Sequence, residues 1–315
     1  MKMLCIGDLV ADLVVPIREL PLRPEEHQLA NECLFVAGGT SNTLIVAARL
    51  GLEAQAVGAV GDDWLGKLVL QQLTEDNVSI KYVQVVPSAI TTMSIELVDT
   101  NAQHVFVGAL GKGSVVDLSA DLDTMLSGVE AVFCTSYALG GHSLFSSSSS
   151  LEIFKHADKC GISTFFDLGP AAYSIDRNIV EQAIKASTVV LATREEIITW
   201  TGSNDKIQAT KEILSLGAEI VVIKCGGEGC VIMSSQDEIR LDGFEVVVRD
   251  TAGAGDAFAG AFIFGYLSKY SLAESGTIAN ATGAITVTRV GTGPYVPQRA
   301  EIFDMLKLHS ITVGE

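Results

Sequence analysis

Cysteine is sparse and scattered in this chain: Cys5, Cys33, Cys134, Cys160, Cys225 and Cys230 form no C-x-x-C pair. None of the five histidines stands at zinc-ligand spacing from a cysteine, so cysteine–histidine zinc motifs are excluded and buried, reduced thiols are expected. Basic residues are also few. Lys and Arg number 21 against 38 Asp and Glu, a formal charge of −17. A surface of that sign repels nucleic-acid phosphates and anionic lipid, which argues against a nucleic-acid-binding protein. Long apolar runs are missing too. The most apolar helical stretch, residues 257–267, is far shorter than the roughly 20 residues that span a bilayer. No basic segment followed by an apolar core opens the chain, so a cytoplasmic protein without membrane association is expected.

What is present is a large apolar fraction, 48% of 315 residues. That length exceeds the usual single domain and allows either two domains or one with a sizeable insertion. The apolar run at residues 3–7 reads as a buried strand, 41–50 as a helix stopped by Gly51, 54–60 as a strand and 64–75 as a helix. Between 13 and 37 three prolines exclude a long helix, and between 81 and 108 three segments alternate like half-exposed strands. These two stretches are expected to form a small antiparallel sheet outside the main body. Beyond residue 118 strands and helices alternate, which predicts an α/β fold on a mostly parallel sheet, and from 254 onward helix dominates. Trp64 and Phe262 are expected in the core.

The strongest chemical signal is D-T-A-G-A-G-D at residues 250–256. The valine-rich residues 244–248 before it read as a strand, and the apolar run after it as a helix. Gly253, Ala254 and Gly255 then form a turn of small residues at a helix N-terminus, where backbone N–H groups can approach an anion. In so acidic a chain a phosphate site should rest on such groups and on metal ions rather than on a lysine cluster. Asp256 falls in the first helical turn. It reads either as a base accepting the proton of an attacking hydroxyl or as a simple helix cap. A Walker phosphate loop is absent, and G-A-G here lacks the spacing and position of a dinucleotide fingerprint, which leaves a nicotinamide-dependent oxidoreductase weakly supported.

Residues 250–256 closely resemble the second signature of the ribokinase (pfkB) family of carbohydrate kinases, D-T-x-G-A-G-D. Other segments resemble family motifs in the expected order: G-D-L-V-A-D at 7–12, A-G-G-T-S-N at 37–42, G-A-V-G-D-D at 58–63 and K-C-G-G-E-G at 224–229. The resemblance implies a ribokinase-like α/β domain over residues 1–315, with helices flanking a mostly parallel sheet and a β lid from about 13–37 and 81–108. It implies ATP-dependent phosphorylation of a hydroxyl on a small sugar-like substrate, with Mg²⁺ and, as an option, K⁺. By position, Asp12, Gly38, Gly39 and Asn42 would hold the substrate. Gly253, Ala254 and Gly255 would form an anion hole, and Asp256 would be the base. Lys224, Gly226, Gly229 and Asn280 would contact the nucleotide. Glu196 would hold Mg²⁺ through water, and Asp250 would lie beside a monovalent cation.

One departure stands out: Thr193 replaces the asparagine of the family's N-x-x-E motif, which ends here at Glu196. Within the resemblance a nucleoside kinase is the nearest alternative, and a sugar-binding regulatory protein without catalysis is a second. Asp167 reads equally as a ligand at a strand end or as part of a turn, and His104 and His142 as lone histidines near the lid and cleft. Open lid edges would pair between subunits, so a homodimer is expected.

Overall fold

The computed structural model describes residues 1–141 and 143–314; His142 lies outside them. Short apolar strands alternate their side chains between two faces, and both faces are covered. In β1 (Lys2–Ile6), Met3 and Cys5 enter one buried cluster while Leu4 and Ile6 enter another. A strand buried on both sides belongs in the middle of a layered α/β sheet. The remaining strands are β2 (Leu9–Pro16), β3 (Leu34–Gly39), β4 (Glu53–Gly61), β5 (Ser79–Val86), β6 (Met93–Val98), β7 (His104–Ala109) and β8 (Ala131–Thr135). They continue with β9 (Ser163–Asp167), β10 (Val189–Thr193), β11 (Ile220–Lys224), β12 (Cys230–Ser234) and β13 (Glu238–Leu241).

The main sheet has nine strands in the order β13-β12-β11-β10-β9-β8-β1-β4-β5. Pairing is parallel from β11 through β5, and β12 and β13 add an antiparallel edge. Helices Ser41–Leu50, Ala254–Leu267 and Leu272–Thr286 share the first cluster with one face, while Ser147–Lys159 and Arg177–Lys185 share the second with the other. The strand order reverses at β1: the chain proceeds outward to β4 and β5 on one side and through β8 to β11 on the other. In such sheets ligands bind outside the strand C-termini beside the reversal. Here that crevice begins at Gly7 and Asp8.

The lid differs from expectation in two respects. It is a four-stranded sheet, β3-β2-β6-β7, whose central β2–β6 pair is parallel, so it is mixed instead of antiparallel. Residues 82–86 are not part of it: they belong to β5, at the edge of the main sheet. Val14, Val36 and Val98 form the lid's own small core.

Three further expectations fail. Cys33, in the irregular stretch before β3, and Cys160, at the end of the helix Ser147–Lys159, are exposed instead of buried. Residues 244–248 form no strand and run as irregular chain along a cleft. Trp64 is 58% exposed and packs edge-on against Phe35 of the lid, with ring centroids 5.0 Å apart. Phe262 is buried as expected.

Candidate active site

Gly253 starts the helix Ala254–Leu267 from a left-handed backbone conformation, φ +68°, a position that favours glycine because it has no side chain to strain. First-turn N–H groups have no acceptor inside their own helix. Ala254 N–H reaches the Thr251 carbonyl only at 3.4 Å, and Ala254 and Gly255 of this turn line the cleft. Asp256 follows directly. Thr43 Oγ1 donates to its carbonyl at 3.1 Å, fastening this helix to the helix Ser41–Leu50.

Asn42 is the hinge of the arrangement. Its Nδ2 donates to Asp256 Oδ2 at 3.2 Å, and its Oδ1 accepts from the Gly293 N–H at 2.6 Å. One amide therefore orients the carboxylate and holds a loop from the far end of the chain. Asp12, on β2, is buried and accepts a hydrogen bond from Thr292 Oγ1 at 2.9 Å. Gly38 lies so close to Asp12 that a Cβ there would fall 1.9 Å from its Oδ2. Gly39 continues the same backbone passage, against the Asp8 carbonyl.

Asp8, Asp12 and Asp256 thus lie close enough for their charges to act on one another. Burial pushes each of them up to about 7; the Asp256 and Asp12 charges add to the shift of Asp8, Asp250 to that of Asp12, and Asp167 to that of Asp256. The protein places three carboxylates where their charge is costly, a pattern more common at functional sites than elsewhere.

Ala254 and Gly255, directly before Asp256, line a cavity of about 640 Å³, walled largely by apolar atoms and glycine backbone. Lys224, Gly226, Gly229, Phe244, Val246, Asn280 and Ala284 line it. Lys224 ends β11 and donates to Asp167 Oδ2 at 2.7 Å, at the end of β9. Both side chains are nearly buried, and the ammonium lies 3.3 Å from where a Cβ on Gly255 would stand. Burial opposes the Lys224 charge, but Asp167 and Glu196 outweigh it and hold its pKa above the usual lysine value. Asp167 is therefore the partner of a cleft lysine at a strand end, and it also accepts a hydrogen bond from the Gly169 N–H, so it serves the turn as well. Asn280, which lines the cavity, donates to the Asp242 carbonyl at 3.1 Å and also hydrogen-bonds the Cys230 thiol.

Thr193 caps the helix Arg194–Thr201. Its hydroxyl accepts from the Glu196 N–H at 3.1 Å, while Glu196 Oε2 accepts from the Thr193 N–H at 2.7 Å. The exchanged residue thus retains a structural use, a reciprocal helix cap. Asp250 binds two backbone N–H groups, of Ala252 at 2.9 Å and Gly291 at 3.1 Å, and so ties the head of the turn to the 289–293 loop.

Three participants escaped sequence reasoning. Asp8 follows the first strand's C-terminal end, a signal that could have found it. Thr292 and Glu96 carry no local motif. Glu96, on β6, is fully buried; burial, then Asp250, push it up to about 9.

A group of buried carboxylates and a largely apolar cavity thus both adjoin the helix N-terminus that carries Asp256. Residues 1–299 match the pfkB family carbohydrate kinase domain. The chain belongs to that family. Among curated relatives of this carbohydrate kinase, the 5-dehydro-2-deoxygluconokinase 1 of Bacillus cereus is 26% identical over 95% of this chain and 93% of its own length. Among solved structures, Arabidopsis thaliana ribokinase complexed with ribose and ATP superposes with a TM-score of 0.81 at 23% identity, covering 97% of the kinase and 98% of that chain. Burkholderia thailandensis nucleoside kinase in complex with inosine gives 0.79 at 18% identity, covering 100% of both. The fold of the kinase is ribokinase-like, with the mostly parallel sheet and separate small sheet described above. Among the described residues no helix is long and apolar enough to cross a membrane.

Proposed function

We propose that the kinase transfers the terminal phosphoryl group of ATP to a hydroxyl of a small, neutral sugar-like substrate, with Asp256 as the base. The observation carrying this reading is the placement of Asp256: Asn42 holds its carboxylate within electrostatic reach of Asp8 and Asp12, and Ala254 and Gly255 just before it line the 640 Å³ cleft. The substrate lies against Asp12, Asn42 and the backbone of Gly38 and Gly39. ATP lies along Lys224, Gly226, Gly229 and Asn280. Asp256 takes the hydroxyl proton as the oxygen–phosphorus bond forms, and the bond from phosphorus to ADP breaks with its electrons leaving on ADP. Gly253, Ala254 and Gly255 direct N–H groups and the helix dipole at the charge on the transferred group.

Magnesium, when bound with ATP, offsets phosphate charge. Glu196 fits that use, because its hydrogen bond to Thr193 occupies Oε2 and leaves Oε1 for a metal-bound water. A monovalent cation near Asp250 belongs to the same reading and is checked by comparing activity with and without potassium. The cytoplasm, where ATP is available, is the compartment implied.

The relatives are named for a gluconate-type substrate, whereas three facing carboxylates here favour an uncharged polyol. The test is ADP release from Mg-ATP against neutral pentoses and hexoses, sugar acids and nucleosides. Turnover confined to neutral sugars is expected. A sugar acid as sole substrate would overturn the neutral assignment, and a nucleoside would move the protein to the alternative reading. On the active compound, kcat/KM should fall with one or more protons as pH drops below about 7. The base works only when ionised, and burial raises Asp256 to about 7. Since Asp8 and Asp12 titrate in the same range, the limb belongs to the group of three. A flat profile from pH 5 to 8 would dismiss a base of this kind.

The outer face of the lid supports a homodimer. β7 is an open edge, and Val105, Phe106, Val107 and Leu110 are exposed on and beside it. Light scattering at micromolar concentration should give the mass of two chains; one chain's mass would rule the dimer out.

A further inference from the structure

We propose that Glu96, His104 and Asp250 form a site for one divalent d-block ion, of the zinc or manganese kind, that fastens the lid to the turn carrying the anion hole. The three residues come from separate elements: Glu96 from β6, His104 from β7 and Asp250 from the head of the turn. One ligand atom from each lies within 4.8 Å of the others. An ion about 2.0–2.2 Å from each donor would separate ligand atoms by up to ~4.4 Å, so a shift of a few tenths of an ångström closes the site.

The independent observation is Glu96 itself. It is 0% exposed, and its oxygens meet no hydrogen-bond donor except a proton shared with the facing Asp250 carboxylate. A buried carboxylate with no other donor, beside a second carboxylate, is expensive unless a cation or a proton completes it. Asp12 adds a third negative group nearby. His104 decides between cation classes, because an imidazole with carboxylates suits zinc, manganese and their neighbours, while magnesium and potassium prefer oxygen alone. Its ring is already oriented: Thr251 Oγ1 lies 3.0 Å from Nδ1, the kind of outer contact that fixes a ligating histidine. His104 is only partly buried, which leaves a path for an ion to enter.

Such an ion would couple lid position to the turn, since Asp250 also holds Ala252 and Gly291. The proposal does not depend on the kinase chemistry, and its test reads binding, not turnover. Tag-free, chelator-stripped full-length protein would be titrated calorimetrically with Zn²⁺ and, separately, Mn²⁺, without nucleotide or sugar and in excess KCl. One equivalent of each should bind, Mn²⁺ more weakly, and Glu96→Gln and His104→Ala should each weaken binding about tenfold or more. Mn²⁺ serves as the thiol-blind probe, because exposed Cys33 and Cys160 offer zinc an alternative. Absence of saturable Mn²⁺ binding, or binding equal in wild type and both variants, overturns the site. So does loss of binding in KCl, which would assign the position to a monovalent ion. Should Glu96→Gln misfold, pulsed electron paramagnetic resonance of Mn²⁺ on the wild type decides: coupling to a histidine nitrogen lost in His104→Ala supports the site, and no such coupling overturns it.

Discussion

Replacing Asp256 by asparagine is expected to lower turnover by about 10²–10⁴-fold, the range found when a positioned general base is removed. The substitution keeps size and shape. The new amide can still turn its oxygen toward Asn42 Nδ2, so the clamp from Asn42 to Gly293 survives. What disappears is the capacity to take up a proton. Binding of ATP in the adjoining cleft should persist within a few-fold, and single-turnover measurements should place the loss in the phosphoryl-transfer step. If the variant turned over within about threefold of wild type, Asp256 would be a helix cap, and the pocket's other carboxylates would have to supply the base.

Lys224→Met should be costly in a different way. It strands the buried Asp167 carboxylate, whose side chain is 9% exposed and whose partner stood 2.7 Å away. Removing one member of a buried ion pair typically destabilises by about 3–5 kcal/mol. Urea unfolding should record a loss of that order at neutral pH, and a smaller one in acid, where the stranded carboxylate takes up a proton. The double variant with Asp167→Asn should recover much of the stability, because no bare charge remains inside. Affinity for ATP should stay low in the double variant, since Lys224 also faces the cleft. Recovery of both properties together would mean that the lysine serves the fold and not the nucleotide.

The parts of the molecule that were legible in the sequence are those whose physics is local. The helices Ser41–Leu50 and Trp64–Glu75 begin and end where periodicity, Gly51 and the Asp63 cap place them. The turn before Asp256 could be read because its small residues and its carboxylate lie within four positions. What could not be read depends on partners far away in the chain. Residues 82–86 alternate like any half-exposed strand, and nothing local says that β4 will claim them instead of the lid. The valines of 244–248 have strand propensity but no neighbour to pair with, so they wall a cleft instead. Trp64 is a large apolar residue at a helix start, and its one ring contact, with Phe35 of the lid, comes from a distant strand and leaves it largely exposed. Glu96 looked like an ordinary outward residue of an alternating segment. Only the meeting of β6 with the 250–251 segment makes it the most conspicuous buried acid in the protein.

The bond between Asn42 and Gly293 has a consequence for the order of events on the ribosome. Asn42 is translated early, Asp256 and Gly293 more than two hundred positions later, and Asn42 can fasten neither the carboxylate nor the loop until each has been made. At elongation rates of roughly 5–20 residues per second, that interval lasts on the order of ten seconds or more. Throughout it the first strands, already able to collapse, carry Asp8, Asp12 and Asn42 without their counterparts. A partly made chain therefore has the beginnings of a substrate pocket and none of its reactive centre, so catalytic competence arrives late in synthesis, in one step, instead of accumulating with length.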